Sequence, residues 1–550
     1  MHMAPAETVQ SSLDRAHWTI RVSTSMAVLL ACVLLLPTAS TPAAGRHGTA
    51  SHAAVAPSRS FRFSVPPQTT HARSTWRRPW HELAGPKLHL RQRGVRAQPS
   101  KGQTTGQTKG QTKGQTFGKH ARRERHPAAI SPVRGRTDAL PSFAHRVQRT
   151  DPGQRLPGPV PRQILILIDQ DQPQSLAAEL ARTYRLQRIR SEPLSLLGAR
   201  AELMRVRQGR SQEAVLAALQ RDTRVRSAQP NQQYLRGAGD APISLDLAKA
   251  DRFSRDPADN RSLQPSIPQY ALRKLDLPDA HQLALGRNVA IAVIDSAVDA
   301  RHPDLRGAVA RSFNAVGRPD AAPDYHGTAV AGIIRAHGLV QGAAPGAEIL
   351  SVRAFRANGD ADGPTTTTQI LISAVDWAVR NGARVLNMSF IGTHDPALQQ
   401  ILNAANSKGV TVVAAAGNGG PTAPPVYPAA YPDVIAVTAV DEKDQRYQYA
   451  NRGSYIALAA PGVDILAPIE HGGYAYVSGT SFAAAYVSAI AALLLERDPS
   501  LDARSILKLL ATGAEDLGPA GRDDDFGAGR VNAYSSLKLL TNQLSAKGRD

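Results

Sequence analysis

The chain of 550 residues carries 65 Lys and Arg against 45 Asp and Glu, a formal net charge of +20, and a single cysteine. Residues 270–550 hold 24 basic against 27 acidic side chains, so the positive excess lies wholly in the first half. Charge confined to a flanking segment argues against a nucleic-acid-binding domain, and one thiol excludes an intramolecular disulfide.

Arg15 and Arg21 precede an apolar run of 11 residues, Met26 to Leu36, followed by small residues; Cys32 falls inside the run. This order of basic, apolar and small residues is that of a signal peptide, expected over 1–44 and implying export to a secreted or periplasmic, cell-envelope location; an uncleaved anchor is the alternative. Residues 45–160 are rich in Pro, Arg, Gln and Thr and contain the tandem stretch GQTTGQTKGQTKGQTF from Gly102 to Phe117. Such composition does not bury enough apolar area to offset chain entropy, so a disordered basic linker is expected, either a solvated spacer or a segment attracted to an anionic envelope.

Periodicity begins with RQILILID (162–169), a strand pattern, then SLAAELARTYR with helical spacing and two extended stretches around Leu194 to Arg207. SQEAVLAALQRD and RVRSAQPNQQYL follow as helix and strand, with Ser211, Glu213 and Glu179 supplying start-of-helix chemistry. The order strand, helix, strand, strand, helix, strand fits a ferredoxin-like α+β domain over 161–237. Residues 238–267 lose the pattern and read as a protease-accessible linker.

From 268 to 542, continuously apolar runs (288–295, 347–355, 383–390, 410–417 and 434–441) alternate with helical segments. Strands apolar on both faces, separated by helices, imply an α/β fold with a doubly wound parallel sheet whose ligand site lies beyond the strands' carboxyl ends. Asp295 and Asn418 stand at such ends. His326 opens HGTAVAGII, and Ser481 follows Gly479 and Thr480 at the mouth of a helix apolar on every side. Taken singly, each reads as readily as a cap, a turn residue or a buried core group.

Together, AVIDSAVDARHPDL, HGTAVAGII, AAAGNGG and GTSFAAAYVSAIAALL resemble the four signature segments of subtilisin-like serine proteases, in that family's order. The resemblance continues through GAAPGAEILSVRAF, NMSF, YPAAYPDVIAVTAVD and FGAGRVNA. It implies a serine endopeptidase with Ser481 as nucleophile, His326 as base, Asp295 as the carboxylate orienting it and Asn418 as an oxyanion donor. It implies a substrate strand lying beside Ser389, Phe390, Ile391 and Gly392 and near 357–360, with Gly417 and Ala429 also in the substrate cleft. The ferredoxin-like segment then resembles the propeptide that serves such enzymes as folding template and temporary inhibitor.

Five departures from the family pattern bear on activity. Ala297, Ile391 and Ala429 stand where glycine is usual, and Ala485 and Tyr486 stand where proline and histidine are usual. Ile391 and Ala429 are expected to narrow the cleft and favour cleavage after small or medium residues. Asp304 matches a calcium ligand of some relatives, but the segment IIRAHGLVQGAAPG is shorter than the loop that would complete the site; no cofactor is expected, with a weak cation site at RDDDF (522–526) as the alternative to a surface turn. Polypeptide substrates, the chain's own propeptide and a monomeric state are expected. The competing reading is a catalytically silent fold acting as an envelope-binding scaffold.

Overall fold

The computed structural model describes residues 156–237, 242–245, 267–317, 322–355 and 364–547. The chain divides into two units, Met1–Pro132 and Val133–Asp550, and every described residue lies in the second. The expected signal peptide, nearly all of the expected basic linker, most of the linker at 238–267 and the stretch at 357–360 lie outside the described residues.

The small N-terminal domain runs β1 (Gln163–Asp169), α1 (Leu176–Thr183), β2 (Leu186–Leu194), β3 (Ala199–Val206), α2 (Gln212–Leu219) and β4 (Ser227–Pro230). Its antiparallel sheet has the order β2-β3-β1-β4, the ferredoxin-like arrangement. Side-chain alternation explains why β1 is buried on both faces. Ile164, Ile166 and Ile168 pack beneath α1 and α2 with Leu180 and Leu219, whereas Leu165 and Leu167 join the core of the larger domain. Ser211 caps α2 by accepting the Ala214 N–H at 3.2 Å.

The segment RVRSAQPNQQYL is not one strand but two. After Pro230, which has no N–H for a ladder, the chain turns at Asn231, whose carbonyl accepts the Val160 N–H at 2.8 Å, and β5 (Gln233–Arg236) leaves the small sheet altogether. Beyond it, β6 (Ile243–Ser244) attaches to the larger domain.

That domain opens with the short helices α3 (Tyr270–Lys274) and α4 (Leu277–Ala280), followed by β7 (Ala290–Asp295), β8 (Val309–Asn314), α5 (Tyr325–Arg335) and β9 (Glu348–Arg353). Next come β10 (Thr365–Thr367), α6 (Thr368–Arg380), β11 (Ala383–Met388), β12 (Phe390–Gly392), α7 (Pro396–Ser407), β13 (Thr411–Ala415) and β14 (Ile435–Val440). The remainder is β15 (Leu458–Pro461), β16 (Ile465–Pro468), β17 (Tyr474–Val477), α8 (Thr480–Arg497), α9 (Ala503–Thr512) and α10 (Ala533–Lys547), the last extending past the expected limit at 542. Seven strands form one parallel sheet in the order β15-β14-β13-β11-β7-β9-β8, so the doubly wound expectation holds. The polar β8 and the short, proline-ended β15 are strands that apolar runs alone did not single out.

Helix α8 is buried from Thr480 to Leu495 and packs against the sheet through Phe482, Val487 and Leu494. Ala485 and Tyr486 lie within it, and the helix passes both without interruption. Ala297 is not among the non-glycine residues with positive φ, so its methyl group imposes no backbone strain.

Candidate active site

At the carboxyl end of β7, Asp295 is fully buried, and its Oδ1 accepts the Ser296 N–H at 2.7 Å. His326, the second residue of α5, presents Nδ1 to Asp295 Oδ1 at 2.9 Å and to Oδ2 at 3.0 Å. The helix begins there because Asp324 caps it, accepting the His326 N–H at 2.9 Å. Ser296 joins the two carboxylates: its hydroxyl lies 3.2 Å from Asp295 Oδ1 and 3.1 Å from Asp324 Oδ1, and accepts the Gly327 N–H at 3.1 Å.

Ser481 is the second residue of α8, which packs on α5, and the His326 ring lies 5.4 Å from that of Phe482. His326 Nε2 and Ser481 Oγ are both buried and have no hydrogen-bond partner among the described residues, so no direct bond joins them here. Asn418, just past β13, accepts the Thr480 N–H at 3.1 Å and its hydroxyl at 2.9 Å on Oδ1. That fixes the carboxamide with its nitrogen turned away from Thr480. Gly417, at φ 101°, donates its N–H to Thr480 Oγ1 at 3.1 Å.

A buried polar chain ties α8 to β11 and the cleft: Ser488 Oγ donates to Asn387 Oδ1 (2.9 Å), Asn387 Nδ2 to Ser389 Oγ (3.0 Å), and Ser389 Oγ to the Ser481 carbonyl (3.1 Å). All three side chains are completely buried.

The cleft is filled by β5. It pairs antiparallel with β12, Phe390 opposite Arg236, Ile391 opposite Leu235 and Gly392 opposite Tyr234, and on its other edge with β10. The flanking strand on that second side is therefore Thr365–Thr367. Gly237 follows, donating its N–H to the Ser389 carbonyl at 3.0 Å. It lies so close to Ser481 that a Cβ there would collide with Oγ.

Each side chain of β5 enters a distinct environment. Arg236, 8 % exposed, forms an ion pair with Asp324, and its guanidinium lies 5.0 Å from the Tyr325 ring centre. Burial works against the Asp324 charge, but Arg236 and the His326 N–H outweigh it and hold this carboxyl below its usual range. Leu235 packs on Ile391 and Val426, so Ile391 walls the second residue before Gly237 rather than Gly237 itself. Tyr234 is wholly buried, edge-on to Phe390 at 5.8 Å, with its hydroxyl donating to Asp395 Oδ2 at 2.7 Å; burial, then the Asp395 charge, pushes that phenol well above its ordinary pKa. A side chain at Gly392 would strike the Tyr234 ring. Ala429 is buried in the core beneath this region with Tyr431 and Val434.

Asp324 and Asp395 were not singled out from the sequence. Both carried one visible signal, an acidic residue just ahead of a helix, and both are N-caps: Asp395 accepts the N–H groups of Ala397 and Leu398 at 3.0 and 3.2 Å.

The carboxylates at the two candidate cation positions have the following partners. Asp304 Oδ1 accepts the Leu339 N–H (3.0 Å) and the Tyr474 hydroxyl (2.7 Å), and Oδ2 accepts the Val340 N–H (2.9 Å), so hydrogen-bearing donors face both oxygens, a poor fit to a calcium ligand. In RDDDF, Asp523 Oδ1 accepts the Asp525 and Phe526 N–H groups, and Asp525 pairs with Arg446 at 2.9 Å and Arg452 at 3.1 Å. Among the described residues no group of three or more His, Cys, Asp or Glu is placed to hold a metal.

Comparison with known proteins is consistent with this geometry. The model of the subtilase family matches residues 286–529. Thermitase of Thermoactinomyces vulgaris is 37% identical over 278 residues, 49% of this chain and 96% of that protein. The minor extracellular protease Epr of Bacillus subtilis (strain 168) is 37% identical over 281 residues, 50% of this chain but only 42% of its own length. Among solved structures, fervidolysin from Fervidobacterium pennivorans, described as a keratinolytic enzyme related to subtilisin, superposes with a TM-score of 0.59 at 24% identity, covering 70% of this chain and 62% of that one. At that identity the likeness is one of fold.

Proposed function

Because this chain belongs to the subtilase family of serine endopeptidases, we propose that it is itself an exported peptidase made as a zymogen, with Ser481 as nucleophile, His326 as general base and Asp295 as its orienting carboxylate. The observation that carries this reading is β5, whose last contacts bring Gly237 against Ser481 Oγ between two cleft strands.

Ser481 Oγ adds to the carbonyl carbon of the residue before the cut while its proton passes to His326 Nε2. Asp295, bonded to Nδ1, keeps the ring in the tautomer whose Nε2 is basic and stabilises the imidazolium. The Ser481 N–H and the Asn418 amide meet the charge that grows on the carbonyl oxygen. Collapse expels the amine, which takes the proton from His326, and water then releases the acyl group by the same steps.

In this reading the small domain is the propeptide and blocks the cleft until it is cut away. Asp304 serves to hold the 337–340 turn, and no cation is assigned to it. Export rests on the apolar run at 26–36 and on the similarity to Epr, an extracellular protease.

The full chain and its Ser481→Ala twin are to be followed by intact mass and by fluorophosphonate labelling. Self-cleavage and labelling are expected of the parent alone. Two folded proteins that neither cut nor label would leave the scaffold reading in its place.

A further inference from the structure

We infer that Asp324 and Asp395 are specificity-determining residues, and that the enzyme selects polypeptides carrying arginine two residues and tyrosine four residues before the cut. This rests on the peptidase reading above and adds to it the substrate class.

The register fixes the assignment. If the bond following Gly237 is the one addressed by Ser481, then Gly237, Arg236, Leu235 and Tyr234 are the first to fourth residues on its amino side, and the pairing with β12 aligns each with its own wall. At the second position, the larger domain offers a carboxylate and an aromatic face. Asp324 takes the guanidinium, and the Tyr325 ring covers it, a combination that suits a permanently charged planar cation. At the fourth position, Asp395 is completely buried. Of its hydrogen bonds, those from the Thr368 hydroxyl (2.5 Å), Ala397 N and Leu398 N come from the larger domain, whereas those from Gln229 Nε2 (2.7 Å) and the Tyr234 hydroxyl come from the small one. Departure of the small domain therefore opens a carboxylate at the base of an aromatic slot edged by Phe390 and floored by Gly392. A tyrosine side chain restores one of the two donors lost, the one to Oδ2; phenylalanine fills the same slot and restores neither.

Both carboxylates are N-caps that also hold a β5 side chain: on Asp395 the cap takes Oδ1 and Tyr234 takes Oδ2, whereas on Asp324 the cap and Arg236 share Oδ1. Asp324 gives its cap bond to His326 N while facing the cleft, so a substrate arginine is read by the residue that starts the helix bearing the general base.

The test uses the self-processed enzyme and internally quenched peptides built on Gln-Tyr-Leu-Arg-Gly-Ala-Gly (233–239). Replacing the arginine by alanine, or the tyrosine by phenylalanine, is expected to lower kcat/KM by about 10- to 100-fold each, and glutamate in place of arginine by more. Asp324→Asn keeps a capping side chain and should bring the arginine-to-alanine ratio close to one; Asp395→Asn should do the same for tyrosine against phenylalanine. If the unaltered enzyme labels with fluorophosphonate yet cleaves all these peptides equally fast, the two assignments fall while the peptidase reading stands. If it neither labels nor cleaves any of them, both fall. The peptide series on the unaltered enzyme decides the matter even where a variant does not fold.

Discussion

Ser296 has one proton and two carboxylate neighbours, so its hydroxyl couples the Asp295–His326 pair to the Asp324 cap. At this scale the site depends on few bonds, and Asn418 is the clearest case. Its oxygen accepts from Thr480 twice, and with the oxyanion role proposed for it Asn418→Ala is expected to lower kcat about 10²- to 10³-fold with little change in KM, measured on any cleaved peptide. A pH effect follows from Asp324. Its pKa is depressed in the folded chain, so the stabilisation it lends to the seated β5 is present above the ordinary carboxylate value of about 3.9 and is lost as pH falls through the lower folded value. Hydrogen exchange of residues 233–237 in the Ser481→Ala chain should therefore quicken below about pH 4, and Asp324→Asn should flatten that dependence. Asp295, His326, Asn418 and Ser481 were legible because each sits in a motif. Asp324 and Asp395 were not, because a helix cap looks the same in a sequence whether or not its carboxylate also faces a cleft.

Among the elements, α8 is held in place by more than apolar packing. The run Ser488, Asn387, Ser389 to the Ser481 carbonyl joins a core helix to the strands beside the cleft without any contact with solvent. Asn387→Leu keeps the volume but orphans the buried Ser488 hydroxyl and removes the donor to Ser389 Oγ, an expected loss of about 1–3 kcal/mol in denaturant unfolding. A fall in kcat should accompany it although no proposed catalytic group is touched. The central strands were readable because burial on both faces demands unbroken apolar runs. The three-stranded set β10-β5-β12 was beyond reach, since strands of three or four residues show no period and their partners come from distant parts of the chain.

For the whole molecule, the partition of charge and the ferredoxin-like order were plain in the sequence, whereas the way the small domain docks was not. Docking is chemical as well as apolar: Glu192 accepts from Ser373 Oγ at 2.5 Å and Gln369 Nε2 at 2.8 Å, bringing a negative charge to the first turns of α6. Leu196 N donates to Asp376 at 2.7 Å on the same helix. Removing the carboxylate by Glu192→Ala should weaken docking by about 1–3 kcal/mol, seen as faster trypsin attack on the small domain of the Ser481→Ala chain.

Because β5 is covalently continuous with the domain it fills, the proposed first cut needs no encounter between molecules. Its half-time is set by geometry within one chain and should be unchanged by hundredfold dilution, as expected for a tethered reactant with a fixed effective concentration. Any later cut, in a released small domain or in a neighbouring precursor, is a collision and slows in proportion. Activation should therefore follow two kinetic orders in sequence, a dilution-independent opening followed by a concentration-driven sweep that accelerates as free enzyme accumulates.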